Sequence, residues 1–164
     1  MKKFLVAIIV ASLLAVGAAC ADDGIANPWY ITDAQGVMDM VGVEFGVPEG
    51  AEDVAWFVLA SERLAEMQFT WNGMEYTARI KFAGEFEDIS GMYYTWDDEQ
   101  PCKVSWCEGV TRRAADEGRT VELCLWFDVV PGVMYSLTTS GEDLDGFDIL
   151  AAAEQVFVPM QGDA

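Results

Sequence analysis

The sequence predicts an α+β fold, with a mainly antiparallel sheet of about seven strands packed by an N-terminal and a C-terminal helix. Three observations predict it. Several runs of strand length alternate apolar with polar residues, Asn72-Gly73 lies between two of them as a two-residue hairpin turn, and capping residues precede an apolar helical stripe near each end. No repeat, low-complexity stretch or linker interrupts the pattern, so we expect a single domain over residues 22–164.

Residues 1–21 have the order of a secretory signal peptide. Lys2 and Lys3 precede an apolar run over residues 4–19, and no acidic residue occurs before Asp22. Ala19-Cys20-Ala21 has the A-x-A form, which predicts cleavage after Ala21 and a secreted or extracytoplasmic protein. The alternative is lipid modification of Cys20, which would anchor the protein to the membrane.

The composition restricts the function more than any single motif does. The chain has 28 Asp plus Glu, nine Lys plus Arg and no histidine, for a formal net charge of -19. Nucleic acid is excluded as a partner, because phosphate contacts need clustered basic residues. Without histidine, imidazole-based catalysis and the commonest ligand for zinc and copper are excluded as well.

The N-terminal third is predicted to contain a short helix and two strands. Thr32-Asp33-Ala34-Gln35 has the capping-box pattern, which predicts a helix capped by Thr32 and ended by Gly42. The alternation over residues 43–47 predicts a strand. The apolar run over residues 54–60 predicts a second strand, buried on both faces.

The Asn72-Gly73 turn determines the register of the next two strands. One face then holds apolar pairs: Trp71 with Met74, Phe69 with Tyr76, Met67 with Ala78 and Ala65 with Ile80. The other face holds polar pairs: Thr70 with Glu75, Gln68 with Thr77 and Glu66 with Arg79. The register is strongly specified, since a slip of one residue would turn the apolar set into water.

The second half is predicted to begin with a long, partly ordered crossing over residues 84–101. Strands are then expected over residues 103–111, 121–130 and 133–139. The middle one is predicted to be central in the sheet, because both of its faces are apolar. A last helix is predicted to start at Ser140 and end before Pro159. Its expected inward stripe is Leu144, Phe147, Leu150 and Ala151.

Three cysteines remain if Cys20 is removed with the leader, and export favours a disulfide between two of them. A hairpin loop centred between Ala115 and Asp116 would place Cys107 opposite Cys124, so these two are the predicted pair. A Cys102–Cys107 bond and three buried free thiols are the alternatives. A zinc site is not predicted, because the spacing of Cys102 and Cys107 is not that of a zinc knuckle and no histidine is present.

No motif in the sequence predicts a metal site, a cofactor or a catalytic residue. Residues 141–148 look like a calcium loop, but Gly141 and Ala152 stand where acids are required. We interpret them as the acidic first turn of the last helix. Asp97-Asp98-Glu99 is interpreted as a solvated loop, with a contribution to binding a hard cation as the alternative.

Tyr93, Tyr94 and Trp96 form the predicted ligand surface. They lie in the acidic crossing, and aromatic rings flanked by carboxylates suit a cationic peptide or protein, or a glycan.

Several segments resemble a family of small exported bacterial proteins of unknown function, which carry a signal peptide or lipoprotein leader and one α+β domain. The resemblance is carried by the leader, the Ala26-Asn27-Pro28-Trp29 start, the Ala65-Glu66-Met67 strand, Asp88-Ile89-Ser90-Gly91-Met92-Tyr93, the Trp126 strand and the Tyr135-Ser136-Leu137 strand before a predicted acidic helix. It implies an extracytoplasmic α+β domain and supplies no activity.

We therefore expect an extracellular or envelope binding or interaction module without enzymatic activity. One alternative is a hydrolase of cell-wall or dietary glycans that uses paired carboxylates. The other is a purely structural surface protein.

Overall fold

The computed structural model describes residues 27–160, which form an eight-stranded antiparallel sheet and two short helices. The predicted α+β class is confirmed. The helices are α1 (Ala34–Val41) and α2 (Ile149–Val156). The strands are β1 (Trp29–Thr32), β2 (Glu52–Leu59), β3 (Leu64–Trp71), β4 (Met74–Phe82), β5 (Asp98–Val104), β6 (Cys107–Asp116), β7 (Arg119–Asp128) and β8 (Val133–Gly141). The predicted leader, with Cys20, lies outside the described residues.

The sheet consists of two four-stranded meanders joined edge to edge. Its order is β1-β2-β3-β4-β8-β7-β6-β5, so β4 of the first meander pairs with β8 of the second. The chain leaves β4 in the middle of the sheet and enters β5 at the far edge. Residues 83–97, here called the crossing segment, make that connection and contain no helix or strand.

The two faces of the sheet are covered differently. The helix face packs against α1, α2 and residues 43–45, and it includes the stacked rings of Trp126 and Tyr135, with centroids 5.2 Å apart. The opposite face, here called the crossing face, packs against Ile89 and Trp96 of the crossing segment. β7 lies between β8 and β6 and contributes buried side chains to both faces of the sheet. Its predicted central position is therefore confirmed.

The predicted β3–β4 hairpin is confirmed in every pair, from Trp71 with Met74 to Ala65 with Ile80. Asn72 and Gly73 have φ of 52° and 77°, as a two-residue turn of this kind requires. The apolar set lies on the helix face, where most of it is buried, and the Glu66–Arg79 pair lies on the crossing face.

Three predictions in the N-terminal third are wrong. The run over residues 54–60 lies largely in β2 as predicted, but Val58 is the only buried residue of that strand, so it is not buried on both faces. Thr32 ends β1, and Asp33 caps α1 by accepting a hydrogen bond from the Gly36 amide at 2.8 Å. Residues 43–47 are extended but do not form a strand of the sheet. The Gly46 amide instead donates to the Val156 carbonyl at 2.8 Å. Alternation of apolar and polar residues thus indicates a segment with one buried side, and such a segment need not pair with a strand of the sheet.

The predicted strand over residues 103–111 is two strands, β5 and β6, that turn at Ser105 and Trp106. Ser105 has φ of 55°, which allows the tight turn. The β6–β7 turn is also displaced, since Asp116 pairs with Arg119. The register behind the predicted Cys107–Cys124 bond is therefore wrong. Cys124 lies opposite Thr111 and Cys107 opposite Val104, and the thiols of Cys102, Cys107 and Cys124 are all free.

The last helix begins later than its sequence pattern predicts. Ser140 lies in β8, because that strand pairs with β7 as far as Gly141. The observed N-cap is Asp148, which accepts a hydrogen bond from the Leu150 amide at 3.0 Å. The buried side chains of α2 are Ile149, Ala152, Ala153 and Val156 rather than the predicted stripe.

Gly109 allows β6 to pass unusually close to β7. A Cβ at this position would overlap the Leu125 carbonyl oxygen and lie 3.1 Å from the Cβ of Trp126 and 3.2 Å from the Sγ of Cys102. Glycine within a strand is typical of such close approaches.

We expect Gly109→Ala to lower the free energy of unfolding by at least about 2 kcal/mol, because the added methyl group overlaps a backbone oxygen that cannot move alone. Urea denaturation followed by tryptophan fluorescence measures the change. Gly84→Ala is the matched control, since nothing lies within 4 Å of its Cβ position. Equal stabilities of the two variants would contradict the prediction.

Candidate ligand-binding groove

A groove of about 440 Å³ lies on the crossing face, between β1–β4 and the crossing segment. Pockets for small ligands are typically about 300–1,000 Å³ in volume. The groove is lined by Trp29, Leu59, Glu62, Leu64, Arg79, Lys81, Glu87, Asp88, Ile89, Gly91 and Tyr93.

Arg79, on β4, joins the sheet to the crossing segment at the floor of the groove. Its Nε donates to Glu66 Oε2 at 2.7 Å, and its Nη1 donates to the Ile89 carbonyl at 3.2 Å. The guanidinium lies 5.5 Å from the centroid of the Trp29 ring. Glu66 also accepts from Gln68 Nε2 at 2.7 Å, so this buried carboxylate is fully partnered.

Residues 88–92 form the wall of the groove and are fixed by hydrogen bonds. Asp88 Oδ1 accepts from the amide and the hydroxyl of Ser90 at 3.0 and 2.6 Å, and its Oδ2 accepts from Arg112 at 2.8 Å. The Ser90 hydroxyl oxygen in turn accepts from the Met92 amide at 3.1 Å. The start of the segment is held to the sheet at two adjacent residues, because Arg112 binds Asp88 and Arg79 binds Ile89.

Gly91 lets the crossing segment lie flat against Arg79. Its φ is 68°, in the left-handed region, and a Cβ here would overlap the Arg79 guanidinium. The residues Asp88 to Tyr93, which contribute to the resemblance noted above, therefore have a shared structural role. They dock the crossing segment on the sheet and bring Tyr93 to the rim of the groove.

The groove contains more carboxylates than basic groups. Lys81 pairs with Glu87 at 3.0 Å and Arg79 with Glu66, so both cations are neutralised by nearby acids. Glu62 is exposed, and no basic side chain among residues 27–160 forms a salt bridge with it. The groove thus retains the negative character of the whole chain.

The structure divides the predicted ligand surface into two parts. Tyr93 lines the groove and is 97% exposed. Tyr94 and Trp96 are half-buried, with ring centroids 5.7 Å apart, and Trp96 packs against the apolar cluster of the crossing face. Burial, followed by the charge and hydrogen bond of Asp116 and the charge of Glu117, raises the pKa of Tyr94. The pattern of aromatic residues did not identify Trp29 or Arg79 as neighbours of Tyr93.

A second cleft, of about 240 Å³, lies between β5–β7 and the start of α2. Asp98, Glu122 and Asp148 contribute carboxylates to it. Burial raises the pKa of Glu122, and this effect is opposed by its hydrogen bond and ion pair with Arg113. Arg113 also donates to the Leu144 carbonyl at 3.1 Å, which ties the segment before α2 to the sheet.

The other acidic motifs have structural partners. Asp97 accepts from the Ala115 amide at 2.9 Å, and Asp143 accepts from the Asp145 amide at 2.9 Å. Asp98 and Glu99 belong to β5 rather than to the predicted loop. Within residues 27–160, no group of three or more Cys, Asp or Glu side chains is arranged to hold a metal ion.

We expect Arg79→Met to lower the free energy of unfolding by about 2–4 kcal/mol, because it leaves the buried Glu66 carboxylate without its cation. Urea denaturation checks the value. Lys103→Met is the control, since it breaks the exposed Lys103–Glu108 pair and should cause no measurable change. A double variant, Glu66→Gln with Arg79→Met, should recover part of the loss. If it is as unstable as the sum of the single variants, the pairing argument fails.

Comparison of the chain with protein-family models, with curated proteins and with solved structures finds no match. None of the helices within residues 27–160 is long and apolar enough to cross a membrane. The resemblance to small exported bacterial proteins stays a prediction.

Proposed function

We propose that this protein is an exported, non-catalytic binding module whose groove on the crossing face holds a cationic segment of a peptide or protein. The observation that carries the proposal is Tyr93. Its ring is almost completely exposed at the rim of the groove, on a segment that hydrogen bonds hold in place. Tyrosine is among the residues that contribute most to binding at protein interfaces.

Because the backbone beside Tyr93 is rigid, we interpret its exposed ring as a surface for ligand binding. Gly91 lies against Arg79, and Met92 is hydrogen-bonded to Ser90, so the backbone before Tyr93 has little freedom. A ring presented in this way loses little conformational entropy when a ligand packs against it. Trp29, which lines the same groove, adds a second aromatic surface.

The charge of the molecule favours a cationic ligand. A chain of net charge -19 attracts cations over its whole surface and repels a second copy of itself. In the groove, a lysine or arginine side chain of the ligand would lie over the Tyr93 ring and meet the Glu62 carboxylate. A cation over an aromatic ring contributes about 0.5–2 kcal/mol, depending on how well it is desolvated.

We expect a labelled hexa-arginine peptide to bind the wild-type protein at low salt, with affinity falling steeply as NaCl rises from 50 to 500 mM. Tyr93→Ala should weaken binding roughly 2- to 30-fold, and Glu62→Gln should reduce the salt dependence. Fluorescence anisotropy measures both. Tyr30→Ala is the matched control, because Tyr30 is an exposed tyrosine that does not line the groove.

Two outcomes would contradict the proposal. Equal affinities of wild type and Tyr93→Ala would mean that the peptide binds the acidic surface without using the groove. Tight, salt-independent binding of a neutral oligosaccharide at Tyr93 would assign the groove to glycans instead.

A glycan hydrolase is the second candidate, and the buried Glu122 favours it. A general acid of a glycosidase has a raised pKa and a second carboxylate near it, and the cleft supplies Asp98 and Asp148. Against this, Arg113 binds the Glu122 carboxylate, which favours a structural ion pair between β6 and β7.

We expect Glu122 to affect stability rather than glycan cleavage. Its pKa is raised above the ordinary value of 4.5, so its stabilising contribution is complete below that value and is lost as pH rises through the folded-state pKa. Wild type should therefore lose stability relative to Glu122→Gln over this interval, as measured by urea denaturation at a series of pH values. Cleavage of a cell-wall glycan by wild type, abolished in a folded Glu122→Gln variant, would establish the hydrolase instead.

A further inference from the structure

Two of the three described cysteines meet across the strand that separates them. Cys102 lies on β5 and Cys124 on β7, with β6 between. Cys102 is paired with Gly109, and Cys124 is paired with Thr111, so both thiols lie on the helix face. The two thiols lie near each other but are not bonded.

Gly109 makes this approach possible. Strands two apart in a flat sheet are about 9.6 Å apart, and a side chain on β6 would stand between the two sulfurs. At Gly109 no side chain is present, and its Cβ position would be 3.2 Å from the Cys102 Sγ. The backbone of β6 also passes so close to β7 that a Cβ would overlap the Leu125 carbonyl oxygen. The Cys102 thiol therefore lies over the backbone of β6 at Gly109, on the side from which it approaches Cys124.

The three thiols differ in reactivity. Cys102 is partly exposed, and its interaction with the Cys124 thiol lowers its pKa, whereas that interaction and burial raise the pKa of Cys124. Burial, with the nearby charges of Asp128 and Glu154, raises the pKa of Cys107 to about 12. Cys102 is thus the thiol that an external oxidant meets first.

We propose that Cys102 and Cys124 form a disulfide across Gly109 when the protein is oxidised, and that Cys107 remains a thiol. In the first step, the Cys102 thiolate attacks one sulfur of a low-molecular-weight disulfide such as oxidised glutathione, which releases one glutathione thiolate. Cys124 then loses its proton and attacks the Cys102 sulfur, which releases the second. Two protein thiols are oxidised, and one external disulfide is reduced to two thiols.

The bond would attach an edge strand to a central one. β5 pairs with β6 alone, so it is the strand free to move towards β7 as the sulfurs close to the bond length of about 2.05 Å. Once closed, the bond restrains the chain from residue 102 to residue 124 in the unfolded state, which stabilises the folded protein.

Tryptic mapping tests the pairing directly, because cleavage after Arg63, Lys81, Lys103, Arg112 and Arg119 leaves every cysteine of the full chain in a different peptide. The folded protein is incubated with oxidised glutathione, denatured, alkylated and digested without reductant. We expect peptide 82–103 linked to peptide 120–164, and peptide 104–112 alkylated at Cys107. The link should persist in Cys107→Ser and disappear in Cys102→Ser.

A second measurement detects the consequence of the bond. Oxidation should raise the Tm of wild type and Cys107→Ser by roughly 5 °C or more, and should leave that of Cys102→Ser unchanged. Any bond that involves Cys107, or three alkylated thiols after oxidation of the folded wild type, would overturn the proposal.

Discussion

The pairing of β4 with β8 is the constraint on which the rest of the structure depends. It places the last strand of the chain in the centre of the sheet and sends β5 to the far edge. The crossing segment must therefore run over one face of the sheet without forming strands. That requirement accounts for its anchors, since Arg79 and Arg112 hold Ile89 and Asp88 against the strands. The groove is the space left where this segment meets β1–β4.

The basic side chains of this acidic protein serve its fold. Residues 27–160 contain seven of them, and each has a partner. Five form ion pairs: Arg79, Lys81, Lys103, Arg112 and Arg113. Arg63 donates to the Val41 carbonyl at 3.3 Å and Arg119 to the Ser140 carbonyl at 3.1 Å. The surface field is consequently set by carboxylates, which attract a cationic ligand and repel phosphate groups.

Sequence patterns predicted the features that local interactions determine. The register of β3 and β4 follows from the Asn72-Gly73 turn and the alternation beside it, and all of its predicted pairs are present. Ser140 was misassigned because its place in β8 depends on pairing with β7, which the local capping pattern does not contain. In the groove, too, local sequence identified one residue, whereas another depends on long-range pairing. Tyr93 stands out among acids in the sequence, whereas Trp29 joins it only through strand pairing and the fold of the crossing segment.

The two edges of the sheet are protected from pairing with other chains in different ways. β5 carries charged residues and Pro101, which lacks an amide hydrogen and cannot extend a ladder. β1 is only four residues long, and it leaves Ile31 75% exposed. Repulsion between copies of net charge -19 opposes the approach of a second β1 edge. The acidic composition thus gives β1 a protection against other copies of the chain that β5 obtains from its own sequence, and it attracts a cationic strand to the same edge.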